Sequence, residues 1–135
     1  MKQKLSIFLI LVLLLSVTSI NVLAASSRYS FDMKWRVVDG KDNKEFHKLD
    51  SGNAYIDGSH RIYHSEYPQA RKENLHYTLI KNNWGFDKGI GTIEVKPNTS
   101  FSRNFGKIDS GEYYLQVWKT NNDYHHTKGS GTLSN

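Results

Sequence analysis

"DSGEYYLQVWKT", residues 109–120, opens on a turn and runs straight into strict alternation. In an extended chain Tyr113, Leu115 and Val117 fall on one side and Tyr114, Gln116 and Trp118 on the other, the period-two pattern of a strand with one face buried. Asp109-Ser110-Gly111 supplies the turn chemistry in front of it. Residues 109–120 are therefore read as scaffold.

The same alternation recurs upstream. In "YSFDMKWRVV", 29–38, Tyr29, Phe31, Met33, Trp35 and Val37 share one side and Ser30, Asp32, Lys34 and Arg36 the other. The turn "DGKDN", 39–43, follows with an Asp-Gly pair suited to positive φ. Further short strands are predicted near 45–49, 53–57, 60–66, 74–81, 89–95, 101–108 and 130–134. Asp57-Gly58, Asn82-Asn83, Pro97-Asn98 and Asn121-Asn122 are read as turns between them. Helical periodicity is nearly absent after residue 25, and "SEYPQARKEN", 65–74, is read as a loop or short helix with no apolar face wide enough to dock firmly. The expected fold is all-β: a single antiparallel β-sandwich, jelly-roll or Ig-like, of about seven to nine short strands.

The amino terminus has a different character. "MKQKLSIFLILVLLLSVTSINVLAAS" carries Lys2 and Lys4, an apolar run from Leu5 to about Val17, and small residues ending at Ala24 and Ala25. This is the layout of a secretory signal peptide, and its apolar core is shorter than the roughly 20 residues that span a bilayer. Residues 1–25 are thus assigned to a cleaved leader, with cut sites after Ala24 or Ala25, and 26–135 to one domain. The protein is expected to be secreted, with no stable membrane span. Losing Lys2 and Lys4 leaves 16 of the 18 basic residues against all 13 acidic ones, a net charge of +3. Acids and bases are interspersed, which speaks against a nucleic-acid binder. There is no cysteine, so neither disulfides nor a thiol nucleophile is available, and stability must come from a core rich in aromatic residues. The combination suggests a bacterial, and specifically a Gram-positive, extracellular protein.

Two resemblances rest on the later strands. Asp109-x-Gly111-x-Tyr113 followed by Leu115 resembles the tyrosine corner of immunoglobulin-like sandwiches, in which a tyrosine hydroxyl near the start of a strand bonds back to an upstream backbone group. Leu115 stands where an immunoglobulin domain has its second cysteine. "GTIEVKPNTSFSRNFGKIDSGEYYLQV", 91–117, is similar to the closing strands of small jelly-roll modules of secreted bacterial proteins, such as pre-peptidase C-terminal domains. Both resemblances imply architecture and no activity.

The chemistry-bearing residues are weighed against this scaffold. His60 and His64 in "HRIYH" would suit a metal on a helix, but on a strand they stand about 13 Å apart, too far for one ion. "DGKDNKE", 39–45, lacks the order of a calcium loop and contains two lysines, so it reads as a polar turn. The serines lack a nucleophile signature, and the carboxylates sit in ordinary solvated contexts. No catalytic residue, metal or cofactor is expected. The candidate binding residues are Trp84, in the turn "NNWGF", and Tyr124, His125 and His126, in the connection before the last strand. Loop aromatics beside amides and imidazoles suit stacking on sugar faces.

The expected function is a non-catalytic module binding an extracellular or cell-envelope partner: a glycan, an anionic wall polymer or an extracellular protein. A secreted antimicrobial or toxin-like antagonist is one alternative, and a small histidine-dependent hydrolase or metal-binding enzyme the other.

Overall fold

The computed structural model describes residues 24–135. All but the last two residues of the assigned leader lie outside the described residues. The described residues form nine strands and no helix: β1 (Ser26–Met33), β2 (Val37–Asp39), β3 (His47–Leu49), β4 (Gly52–Ser65), β5 (Leu75–Lys81), β6 (Lys88–Val95), β7 (Ser100–Ile108), β8 (Gly111–Trp118) and β9 (His125–Ser134). A four-stranded sheet runs β1-β9-β4-β7, and a five-stranded sheet runs β2-β8-β5-β6 with β3 also on β8; every pairing is antiparallel. The described residues form an all-β sandwich.

The core lies between the sheets, drawn from Tyr29, Met33, Ile56 and Leu133 on one side and Leu75, Tyr77, Leu79, Tyr113 and Val117 on the other. Tyr77 is the hub: the rings of Tyr29, Phe31 and Phe101 lie 4.9–6.4 Å from it in tilted or edge-on contact, arrangements worth about 0.5–1.5 kcal/mol each beyond burial. The whole described core comes from Tyr29 to Leu133.

β8 is the strand that 109–120 foretold. Tyr113, Leu115 and Val117 are buried in the core, and the Tyr113 hydroxyl donates to the Asp109 carbonyl at 2.5 Å across the turn that carries the chain from one sheet to the other. On the far face, Trp118 stacks on His76 at 4.1 Å and donates its indole N–H to Thr78.

Three expectations are corrected. The inward parity of "YSFDMKWRVV" ends at Met33: the chain leaves β1, crosses over, and enters the other sheet as β2. Trp35, on the crossing, is 66% exposed, and Val37 is exposed as well. Asp57-Gly58 is no turn, because the strands predicted at 53–57 and 60–66 are one, β4. A Cβ on Gly58 would stand 2.2 Å from the Tyr29 hydroxyl, so this glycine serves a close approach of ring to strand. Finally, the last strand begins at His125 rather than near 130. Of the 65–74 stretch, Ser65 ends β4 and the rest is a loop, tied down by polar contacts rather than by an apolar face.

Candidate functional site

β4 pairs with β9 in regular register up to Ile62 opposite Thr127, and then slips so that His64 faces His126. Tyr63 is the extra residue of this bulge. A bulge sets two consecutive side chains toward the same side, and both Tyr63 and His64 are exposed. His60 and His64 therefore do not share a face as simple alternation predicts: His60 is buried in the core and His64 is in solvent.

The result is a cluster of rings at one end of the four-stranded sheet. The His126 ring lies 4.9 Å from that of His64 and 6.0 Å from that of Tyr63. The Lys128 ammonium sits 4.4 Å over the Tyr63 ring, a cation–π contact. The Tyr63 hydroxyl donates to Asp32 at 2.6 Å, which fixes the ring across three strands and raises its pKa above the usual phenol range. The His126 imidazole meets the Glu66 carboxylate at 2.8 Å, and the Glu66 backbone N–H donates to the Tyr124 carbonyl. Through Glu66 the cluster reaches Tyr67 and Tyr124, whose exposed rings meet edge to face at 4.8 Å.

Beyond the rings the outer face of this sheet turns polar. Ser30, Ser130, Ser59 and Ser100 are successive register partners across β1, β9, β4 and β7, so hydroxyls recur about every 4.8 Å across the sheet. They line a hollow of about 520 Å³ whose rim includes the cations Arg61 and Lys128. Lys128 belongs both to this hollow and to the ring cluster.

The four residues singled out in the sequence separate. Tyr124 and His126 belong to the cluster. His125 does not: it is 1% exposed and directed into the core. The side chains of a strand alternate, so His126, on the outer face beside the rings of Tyr63 and His64, leaves His125 on the inward side. Its Nε2–H donates to the Ala70 carbonyl at 2.9 Å, which leaves Nδ1 to accept from the Ser65 hydroxyl at 2.7 Å. The Ser65–His125 contact thus serves to hold the 66–74 loop. Trp84 is fully exposed, in the β5–β6 connection. That connection follows Lys81, which pairs with Tyr113 at the start of β8, whereas Tyr124 follows Trp118 at the end of β8. Tyr113 and Trp118 are about 17 Å apart along β8, so Trp84 and Tyr124 stand at opposite ends of the sandwich.

Sequence reasoning missed Lys119 and Asp123. Both are buried, with Lys119 Nζ donating to Asp123 Oδ1 at 2.7 Å and to the His125 carbonyl at 2.6 Å. Burial would raise the Asp123 carboxyl, but Lys119 and the backbone N–H groups of Glu73 and His125 outweigh it and hold the pKa below the usual range. The signal was present: continuing the parity of Tyr113, Leu115 and Val117 places Lys119 inward. Beneath the sheet, His60 donates from Nε2 to the Lys96 carbonyl and accepts from Tyr77, and burial lowers its pKa. His47, bonded to Ser27, is lowered by burial in the same way.

Among the described residues no three His, Asp or Glu side chains are grouped to hold a metal, and no helix is long and apolar enough to cross a membrane. No protein-family model matches the chain, and no curated protein and no solved structure matches it either.

Proposed function

We propose that this is a secreted, non-catalytic β-sandwich that binds a cell-envelope polymer on the outer face of its four-stranded sheet. The observation that carries the reading is the continuity of the bulge-built ring cluster with the hydroxyl row and its two cations, joined at Lys128. Exposed rings offer stacking surfaces to sugar or polyol faces. A row of serine hydroxyls matches the repeated hydroxyls of such a chain, each able to donate and accept. Arg61 and Lys128 suit the phosphate or carboxylate groups of an anionic wall polymer, and Arg61 can bind such a group through two parallel hydrogen bonds. The attraction of exposed cations falls with salt over a Debye length of about 8–10 Å near physiological ionic strength.

Sedimentation of the domain with purified Gram-positive cell walls tests this. Binding is expected at low salt, weakening several-fold in 0.5 M NaCl. The pair Tyr63→Ala and Lys128→Gln is expected to reduce the bound fraction about tenfold or more, since it removes both the ring and the cation that joins the two halves of the site. Wall binding that survives this pair unchanged overturns the assignment of the face, and no binding at low salt overturns the function.

A further inference from the structure

At the opposite end of the molecule, Trp84 and Phe86 project from the six-residue connection between β5 and β6, and both side chains are almost wholly in solvent. Large exposed apolar groups placed side by side are unusual on a soluble surface and mark a contact site. The base of the connection that carries these rings is clamped. Asn82 donates its backbone N–H to the Glu112 carbonyl and its side-chain amide to the Glu112 carboxylate. Asp87 accepts from the Asn83 N–H, from Lys41 at 2.6 Å and from the Tyr114 hydroxyl at 3.0 Å. Gly85, between the two rings, has φ +100° and nothing within 4 Å of where a Cβ would stand, so it makes the turn without touching the body of the protein.

The charge around this tip has one sign in excess. Lys81, Lys88 and Lys107 line a hollow of about 490 Å³ at the base of the connection, with Asp109 as the single acid on its wall. Of the acids at the base of the connection, Asp87 is paired with Lys41, so the three lysines face two acids without a cation partner among the described residues, Asp109 and Glu112, and the balance is positive by one charge. An aromatic wedge bearing a Trp, with lysines at its base, is complementary to the boundary between headgroups and acyl chains of an anionic bilayer, where indole rings are enriched and each lysine near the surface adds attraction.

We propose that the β5–β6 connection is an interfacial membrane anchor, with Trp84 and Phe86 entering the headgroup region of an anionic phospholipid bilayer and Lys81, Lys88 and Lys107 meeting lipid phosphates. The domain docks on the surface and does not span it. Its sheet face with Tyr63 and Lys128 then stays clear of the membrane, since it belongs to the other end of the sandwich.

The test is co-sedimentation of residues 26–135, which carry the whole described core, with vesicles of phosphatidylcholine containing 30% phosphatidylglycerol, and with phosphatidylcholine alone. Binding is expected only to the anionic vesicles. Trp84→Ala with Phe86→Ala should lower the partition coefficient roughly a hundredfold, and each Lys→Gln change at 81, 88 or 107 about fivefold. All five side chains lie at the surface or its margin, so an unchanged thermal melt accompanies the loss. Equal binding to both vesicle types, no binding to either, or undiminished binding by the double aromatic variant each overturns the proposal. So does capture of a wall protein through Trp84 without vesicle binding. Because the ring cluster is left intact, failure here leaves the wall-binding reading to its own test.

Discussion

A lysine just past the end of β8, on the strand's buried parity, is a point at which the fold is sensitive to a single substitution. Lys119 has 0% side-chain exposure and meets a carboxylate of 1% exposure, so both charges depend on each other and on the surrounding N–H and carbonyl groups. Removing one partner of such a pair costs about 3–5 kcal/mol, because the other is left buried and uncompensated, whereas replacing both by apolar groups costs far less. Lys119→Met is therefore expected to destabilise by that amount in urea unfolding, and Lys119→Met with Asp123→Leu to recover only part of it, because the Glu73 and His125 N–H groups and the His125 carbonyl then lose their partners. A loss under 1 kcal/mol in the single variant contradicts the geometry. The pair was legible only in part: alternation from Tyr113 onward points Lys119 inward, but nothing local says that Asp123, past two asparagines, turns back to meet it.

At the scale of elements, β8 announced itself and β9 did not, for one physical reason. The inward positions of β8 are Tyr, Leu and Val, which write a hydrophobic period of two, whereas those of β9 before Leu133 are His125, Thr127, Gly129 and Gly131. β9 accepts the rings of β1 instead of supplying its own: Phe31 lies over Gly129, and Tyr29 over Gly131 and Gly58. The apolar side chains of that interface are thus written in β1, and local sequence alone places His125 and His126 in a loop. A Cβ at Gly131 would stand 1.9 Å from the Asp57 carbonyl oxygen. Gly131→Ala must push β9 from β4, a cost of about 3 kcal/mol or more at the upper end of overpacking. Gly89→Ala, where nothing lies within 4 Å, is expected to change stability by less than about 0.5 kcal/mol. Thermal melts of the two variants side by side decide it, and equal effects contradict the assigned register. The bulge at Tyr63 could not be read from the sequence either, since it depends on the β9 partner.

For the whole molecule, burial sets a pH window. His47 and His60 are held below their ordinary value of 6.5 in the folded state. The unfolded chain therefore binds more protons as pH falls through 6.5, and the stability these groups contribute is present above that value and lost below it. Asp123, lowered from 3.8, adds a second loss in stronger acid. Tyr29 and Tyr77 are raised above 10 by burial, so their contribution holds below pH 10 and is lost above it. The melting temperature is expected to be highest between about pH 7 and 10 and to decline already between pH 6.5 and 5. A flat profile from pH 8 to 4 contradicts the burial of the two histidines. The sandwich architecture at this scale was legible, because strand count and turn spacing survive local errors. The separation of Trp84 from Tyr124 was not, because it follows from which end of β8 each loop lies beside, and for Trp84 that depends on the pairing of β5 with β8.

The outer face of the four-stranded sheet is the central claim, and backbone amide shifts of the 15N-labelled domain during titration with solubilised anionic wall polymer test it most directly. The expected result is a contiguous set of perturbations at Tyr63, His64, Tyr124, His126 and Lys128, spreading to Ser59 and Ser130 and collapsing in high salt. Perturbations confined to Tyr114, Gln116 and Trp118 on the other sheet, or to Trp84 and Phe86 alone, or none at saturating polymer, would contradict it.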